Sequence, residues 1–409
     1  MRGLDIGIIG CGTAGSAAAL FLSRAGHKVT VYERVEAPRA VGAGILLQPT
    51  GQAVLRRLGL LDGVVARAAK VDQLRAQTLQ RKTVFRIRYD AMPGAHQGYG
   101  LHRGVLFEHL FREVLREPVT LKLGVEVKDL QESDGGEGLW FVTSTGQRLG
   151  PHAVCVVADG ARSQLRDDTQ IKKSIRDYPW GALWFVGDDV AGRGGSELLQ
   201  TLDSTTKMVG ILPTGLGPGE GLGPPQVSLF YSIRADRVRA WRDAGLGPWL
   251  TEMRQFAPQM AAVIDQVTAL DQVLFTQYKD VAMYPWHTDK VVYLGDAAHA
   301  MSPQLGQGAN LALWDAMVLS DALAGSERLA DGLALYSRQR RSHLGFYQYA
   351  TRWLTPWFQS DWRPLGWLRD ALMGPVTRLP MVERVMVKTL TGLSRGVGLG
   401  APLGLPSAP

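Results

Sequence analysis

The chain has 409 residues, 45% of them hydrophobic, and a formal net charge of +7; this suffices for two domains or one large interleaved α/β body with a full core, and excludes a disordered or fibrous chain. Arginines and lysines are scattered rather than gathered in a stripe or tail, which argues against nucleic acid and suits an anionic cofactor, a membrane surface or plain solubility. Two cysteines, Cys11 and Cys155, are too few for a disulfide framework, so a reducing cytoplasm is expected, and no apolar run reaches the roughly 18 uncharged residues of a membrane span.

Met1 to Ile6 run straight into an apolar segment, which leaves no room for a signal peptide. Leu4 to Ile9 is short enough for a buried parallel strand, and Ala14 to Leu22 reads as a small-residue helix stopped by Gly26. Between them lies Gly10-Cys11-Gly12-Thr13-Ala14-Gly15. Gly10 permits the tight turn, Gly12 lets backbone approach a pyrophosphate, and Gly15 lets the helix sit close on the strand. The helix start offers unpaired N–H groups and the positive dipole end to phosphates. His27 to Tyr32 gives the second strand, and Glu33 stands at its end, where an acid hydrogen-bonds a ribose 2′-hydroxyl; Arg34 is counted with it. The pattern fits FAD or NAD.

Gly42-Ala43-Gly44 leads into a helix that Thr50 is expected to cap and Gly59 to end. The glycines let this loop pass close to something bulky or simply turn on its own domain. Arg103 opens an amphipathic helix with Leu106, Leu110, Val114 and Leu115 on one face. His102 reads as a packed or solvent-facing imidazole. Val119 to Val127 and Trp140 to Ser144 read as paired strands around a loop at Glu132 to Gly136, and Val154 to Val157 as a return to the sheet. That last strand delivers Asp159-Gly160 to its C-terminal end, where open α/β sheets bind ligands, although Asp-Gly alone is a common turn.

From Tyr178 to Tyr278 strands dominate, including Ala182 to Val186, Lys207 to Leu212 and Val227 to Ile233, with a Gly/Pro-rich break at Gly215 to Pro225. Trp184, Gln200 and Tyr231 are the candidate substrate contacts, against the alternative that each faces core or solvent. Lys290 to Leu294 is a strand turned by Gly295, from which Asp296 emerges to meet ligand hydroxyls; His299 is expected to pack the turn. Pro303, Gly306 and Gly308 follow, and from Gly308-Ala309-Asn310 the pattern becomes helical. Trp353, Trp357, Trp362 and Trp367 precede a basic apolar stretch through Arg395. They are expected to pack the tail onto the body; the rival reading is a peripheral membrane contact or a guard over the entry of a lipophilic aromatic. Ser394 to Pro409, rich in glycine and proline, is expected to be extended or disordered.

The turns at Gly10–Gly15, Ala158-Asp159-Gly160 and Leu294-Gly295-Asp296-Ala297-Ala298-His299 resemble the cofactor-binding elements of the class A flavoprotein monooxygenases, the para-hydroxybenzoate hydroxylase-like and salicylate hydroxylase-like aromatic hydroxylases. The resemblance covers most of the chain. It implies that Arg103, in an Arg-x-x-Leu pattern, meets the FAD pyrophosphate, that Gly44 lies on a loop beside the flavin, and that backbone near Val127 meets adenine. Asp159 would take part in FAD and nicotinamide binding, and Asp296 would hold the ribityl chain. Pro303, Gly306, Gly308, Ala309 and Asn310 would lie against the flavin ring, with the helix start stabilising negative charge on reduced flavin.

The expected fold is a glutathione-reductase-type, Rossmann-like FAD-binding α/β domain with an inserted, mostly antiparallel substrate sheet and C-terminal helices. The divisions fall at 1–177 with a substrate-domain excursion near 70–100, 178–285, 286–350, and a 351–409 tail. The implied reaction is hydroxylation of a small, lipophilic aromatic by NADH or NADPH and O2 through a flavin C4a-hydroperoxide. Its competitors are a geranylgeranyl reductase-like activity on the same fold and, lacking a Trp-x-Trp-x-Ile-Pro signature, a flavin halogenase. No general base and no metal ligand set stands out, and a monomer or homodimer in the cytoplasm or at the membrane periphery is expected.

Overall fold

Five short apolar strands form a parallel sheet in the order Val291–Tyr293, Val154–Val157, Asp5–Ile9, Lys28–Glu33, Val119–Leu123. The computed structural model describes residues 1–91, 96–166, 170–219, 223–396 and 403–405. Asp5–Ile9 occupies the middle, with Ile6 and Ile8 fully buried, which accounts for its unbroken apolar sequence. The helix Thr13–Arg24 packs on the helix Gly308–Ala324, and its alanines Ala17, Ala18 and Ala19 are all buried.

The single strand expected over 119–127 is two. The chain turns at Gly124, φ +71°, so that Val119–Leu123 joins the parallel sheet beside Lys28–Glu33, while Val127–Glu132 pairs antiparallel with Leu139–Thr143. A third strand of that layer, Arg148–His152, completes it. Thr50 is not a cap: Gln48 precedes the helix Pro49–Arg57, and Thr50 lies within it. Gly59 ends it as expected, its N–H on the Arg56 carbonyl and Leu60 N–H on the Leu55 carbonyl at 2.8 Å.

The second large sheet has seven strands in the order Leu274–Tyr284, Lys172–Asp188, Gln226–Arg234, Lys207–Gly215, Glu197–Asp203, Gln73–Thr78, Thr83–Arg88. All neighbours are antiparallel except Glu197–Asp203 with Gln73–Thr78. Its outer face, with Leu183, Ile211 and Leu229, is closed by short helices through Trp249, Met253 and Phe256. Its inner face packs Leu198, Met208 and Leu212 with Leu46 and, from the tail, Phe358 and Leu390.

One helix, Leu329–Phe358, runs through position 350, where a boundary was expected. Pro364–Thr377 and Pro380–Leu390 follow, each with proline in its first turn, where the missing N–H costs nothing. Ser394 is buried and Leu403 N–H bonds the Leu393 carbonyl at 2.8 Å, so those parts of the expected loose end are packed; residues 397–402 and 406–409 lie outside the described residues.

Candidate cofactor and substrate site

The glycines of the first turn divide their work. A Cβ on Gly15 would stand 1.9 Å from the Gly10 carbonyl oxygen, and one on Gly10 would stand 2.6 Å from that of Ala158, so both exist for close packing. At Gly12 a Cβ would meet nothing within 4 Å, which leaves open space at the helix start. The first helical bond is Ser16 N–H to the Gly12 carbonyl, and no side chain caps the end, so the N–H groups of Thr13, Ala14 and Gly15 are left for an anion. Glu33 reaches into the same turn, accepting from Cys11 N–H at 2.8 Å and Val35 N–H at 3.0 Å; Arg34 is exposed beside it. Val125 N–H bonds the Glu33 carbonyl, which brings Val127 to the same end of the sheet. Burial raises the Cys11 thiol to about 11 and Cys155 well above its usual range, so neither is a reactive thiolate.

Asp159 and Asp296 end adjacent parallel strands. Burial raises the Asp159 carboxyl above its ordinary range, against the Ser163 hydrogen bond and the Arg166 charge, and its Oδ1 is buried without a partner among the described residues. Arg166 was not foreseen. It is 3% exposed and donates to the carbonyls of Ser163, Gly160, Asp296 and Ala297, lacing the two turns together. The Ala158-Asp159-Gly160 motif ends six residues short of it, and an arginine after a turn reads as surface.

Gly295, φ +57°, donates its N–H to Asp315 Oδ2 at 2.8 Å, while Asp296 is exposed, its Oδ1 4.0 Å from where a Gly308 Cβ would stand. His299 is 1% exposed and donates Nε2–H to Asp315 at 2.6 Å; it packs the turn, as expected. Asp315 is fully buried and also accepts from Arg340 Nε at 2.7 Å. Arg340 in turn donates to His343 Nδ1 at 2.5 Å, and His343 Nε2 donates to the Gly392 carbonyl at 2.7 Å. This buried chain was illegible in the sequence.

Pro303 begins a single helical turn closed by Gly306 at φ +60°, and a Gly306 Cβ would lie 3.8 Å from Leu46 Cβ. The helix then starts with Gly308, Ala309 and Asn310, whose N–H groups precede its first bond, Leu311 N–H to the Gln307 carbonyl. Asn310's side chain is otherwise engaged: it accepts from Gln48 N–H at 2.8 Å and donates to the Leu46 and Gly306 carbonyls. What Asn310 offers a cofactor is therefore backbone. Gly44 is glycine for another reason than expected, since a Cβ there would stand 2.6 Å from Ser228 Cβ and Thr214 Cγ2 of the wide sheet. Arg103, exposed at its helix start, lies across Gly42, whose Cβ would come 2.6 Å from Arg103 Nε. His102 caps that helix, its Nδ1 accepting from Gly104 N–H at 3.0 Å, and burial lowers its pKa.

On the wide sheet, pairing aligns Trp184 with Phe230, Phe230 with Gly210, Gly210 with Gln200 and Gln200 with Ala76, a single row across five strands on one face. The Phe230 ring lies over Gly210, where a Cβ would be 1.8 Å from it, and stands 5.2 Å from the Trp184 ring. Trp184 and Gln200 thus share one face of the sheet, with Phe230 and Gly210 between them. Tyr231, one residue on, points to the opposite face, its hydroxyl donated to Glu252 at 2.9 Å and its ring beside Trp249. It is withdrawn as a substrate contact, because alternation along the strand turns it away from the inner face.

Two amides went unnoticed. Gln48 accepts from the Tyr89 hydroxyl at 2.8 Å, and Gln307 donates to the Leu390 carbonyl at 2.6 Å, which fixes both orientations and leaves Gln48 Nε2 and Gln307 Oε1 buried without partners among the described residues. Buried polar atoms left so call for a partner, which a ligand or ordered water supplies. With the two uncapped helix starts and Asp159 Oδ1, they fit an extended anionic dinucleotide ending in a polar-edged ring.

The sequence profile of the FAD binding domain family matches residues 3–345. The chain belongs to this family. Its cofactor is FAD, and it is a class A flavoprotein monooxygenase of the aromatic-hydroxylase type. Similar relatives include 6-methylpretetramide 4-monooxygenase of Streptomyces rimosus, 28% identical over 82% of this chain and 80% of that one. Aurachin C monooxygenase/isomerase of Stigmatella aurantiaca is 27% identical over 96% and 98%. Among solved structures, Pseudomonas aeruginosa PqsL in complex with 2-aminobenzoylacetate aligns with a TM-score of 0.76 at 24% identity, covering 89% of this chain and 99% of that one. In this FAD-binding family member no helix among the described residues is long and apolar enough to cross a membrane.

Proposed function

We propose that the protein hydroxylates a small, lipophilic aromatic compound, with NADH or NADPH as electron donor and dioxygen as oxidant. The observation that carries the reading is the inner face of the wide sheet: Trp184, Phe230, Leu212 and, from the tail, Phe358 are apolar, and Gln200 in the same row is an uncharged amide. Such a lining selects a flat apolar ring and orients it by few hydrogen bonds. Bound FAD supplies the redox chemistry: one atom of dioxygen goes to the ring, the other leaves as water, and the nicotinamide provides the two electrons.

The residues of this chain bind, orient and exclude water. The N-terminus of Thr13–Arg24 and Arg103 hold the diphosphate, Glu33 the ribose, and Asp296 the ribityl hydroxyls. The start of Gly308–Ala324 would offer its free N–H groups to the flavin and favour negative charge on it. Gln48 and Gln307 offer one donor and one acceptor to a ring edge.

Purified FAD-loaded protein given NADH or NADPH, an aromatic panel and isotopically labelled dioxygen should yield a product carrying one labelled oxygen. A product without label would instead assign a reductase on the same fold.

A further inference from the structure

Exposed apolar side chains concentrate in the tail. Trp353, Trp362 and Trp367 are 57%, 63% and 74% exposed, which overturns the expectation that these rings pack the tail onto the body; of the four tryptophans only Trp357 turns inward. The helix Pro364–Thr377 carries its only two charges, Arg369 and Asp370, as an ion pair with Arg369 buried beneath it. Its outward face is a stripe at helical spacing, Trp367, Leu368, Leu372 and Val376, continued by Leu379 and Met381. Of the fourteen exposed residues between 362 and 384, three are arginines, Arg363, Arg378 and Arg384; the rest are Trp, Pro, Leu, Ala, Val and Met, and none is acidic.

We propose that this face docks on an anionic lipid surface, with the tryptophan and leucine side chains entering the headgroup region and the three arginines meeting lipid phosphates. A stripe of this length without a polar residue is inconsistent with a surface made for water. Indoles and arginines are the residues that favour the boundary between apolar and wet surroundings, and a basic rim answers a negative leaflet. Charge argues against a second copy, because a two-fold contact sets the patch against itself and so brings the arginine rims together, while the acids of the segment are engaged or half-buried: Asp361 pairs with Arg234, Asp370 with Arg369, and Glu383 is half-buried. The three arginines make no ion pair among the described residues, so their charge is available to lipid. The inner side of the same helices carries Met373, Phe358 and Leu390 onto the wide sheet's inner face, which places the docked surface over the wall of the substrate chamber. The docking itself does not depend on the substrate reading.

The test is flotation of the FAD-loaded full chain with vesicles of phosphatidylcholine alone and of phosphatidylcholine mixed with phosphatidylglycerol, compared with the double variant Trp367→Glu, Leu372→Glu. Both positions are exposed, so the flavin-to-protein ratio of the variant should equal that of the unaltered chain. The unaltered chain should float with the anionic vesicles, less so at high salt, and the variant should partition about tenfold more weakly or worse. Any of three results overturns the proposal: no flotation with either vesicle, flotation of the variant equal to the parent's, or a dimer in gel filtration that the variant dissolves while neither protein binds vesicles, which would give the face to a second copy.

Discussion

His343 should make the protein sensitive to mild acid, and His343→Gln should remove that sensitivity. Both ring nitrogens are committed to the neutral form: Nδ1 accepts from Arg340 and Nε2 donates to the Gly392 carbonyl, at 2.5 and 2.7 Å. A second ring proton would face the guanidinium in a site 1% exposed. Burial first, and then the Arg340 charge, push its pKa down to about 3. The unfolded chain takes up that proton near pH 6.5 while the folded protein refuses it until about 3, so stability is unaffected above 6.5 and falls as pH drops through that window. The slope is about 1.4 kcal/mol per pH unit, or about 2.7 kcal/mol at pH 4.5. Asp315 adds nothing at that pH. Burial raises its carboxyl, but His299, Arg340 and the Gly295 N–H together hold it below its usual value, so its contribution is lost only further into acid. Glutamine keeps an acceptor for Arg340 and a donor for Gly392 without a titrating proton, at a cost of about 1 kcal/mol in ring packing. Urea unfolding at pH 7.5 and pH 4.5 with saturating FAD measures the difference, and the histidines common to both proteins cancel. If the variant loses as much stability between the two pH values as the parent, the reasoning fails.

Asp315→Ala leaves Arg340 buried without its acid and should cost about 3–5 kcal/mol in urea unfolding; a loss under about 1 kcal/mol would mean that the guanidinium reaches water. Gly12→Ala has room for its methyl and should fold normally yet bind FAD about tenfold more weakly or worse in flavin titrations, whereas Gly15→Ala, forced against the Gly10 carbonyl, should fail to fold stably. Equal FAD affinity for Gly12→Ala would move the diphosphate elsewhere. Tyr231→Phe should leave KM for the aromatic substrate unchanged while Trp184→Ala raises it, and steady-state kinetics giving the reverse would exchange the two faces of the sheet.

The parts legible in the sequence are those where backbone geometry restricts the residue. Gly10, Gly15, Gly59 and Gly295 either hold a positive φ or admit no Cβ, and few residues satisfy that, so strand, turn and helix can be placed around them. Asp159 and Asp296 were legible through position at strand ends. The wide sheet was legible as strands but not as faces: alternation separates Phe230 from Tyr231 without saying which looks inward, and the deciding fact, the Phe230 ring over Gly210, joins residues on different strands. Arg166, Asp315, Arg340 and His343 were silent for a related reason. Arg166, Arg340 and His343 stand in polar-looking stretches and Asp315 is an acid in an apolar helix, and only partners 3 to 131 residues away make each of them part of the core. The tail's tryptophans carried the opposite ambiguity, since composition gives a helix an apolar stripe but not the direction in which it faces.

The tail is fastened to the body through Gly392 and Leu390, among other contacts. Gly392 is held through His343 and Arg340 to Asp315, whose other oxygen anchors the Gly295 turn and His299; Leu390 accepts directly from Gln307, next to the first residue of the helix Gly308–Ala324. These bonds are buried, so pulling the tail away leaves His343 Nε2 without its acceptor and Gln307 with neither of its amide groups satisfied among the described residues. Each such loss costs about 1–3 kcal/mol, more where a charge is stranded. A surface that engages Trp367 and Leu372 therefore receives the whole flavin-bearing body in a fixed orientation, not a tethered helix. Orientation is what a chamber walled by the same helices requires if its substrate is dissolved in that surface.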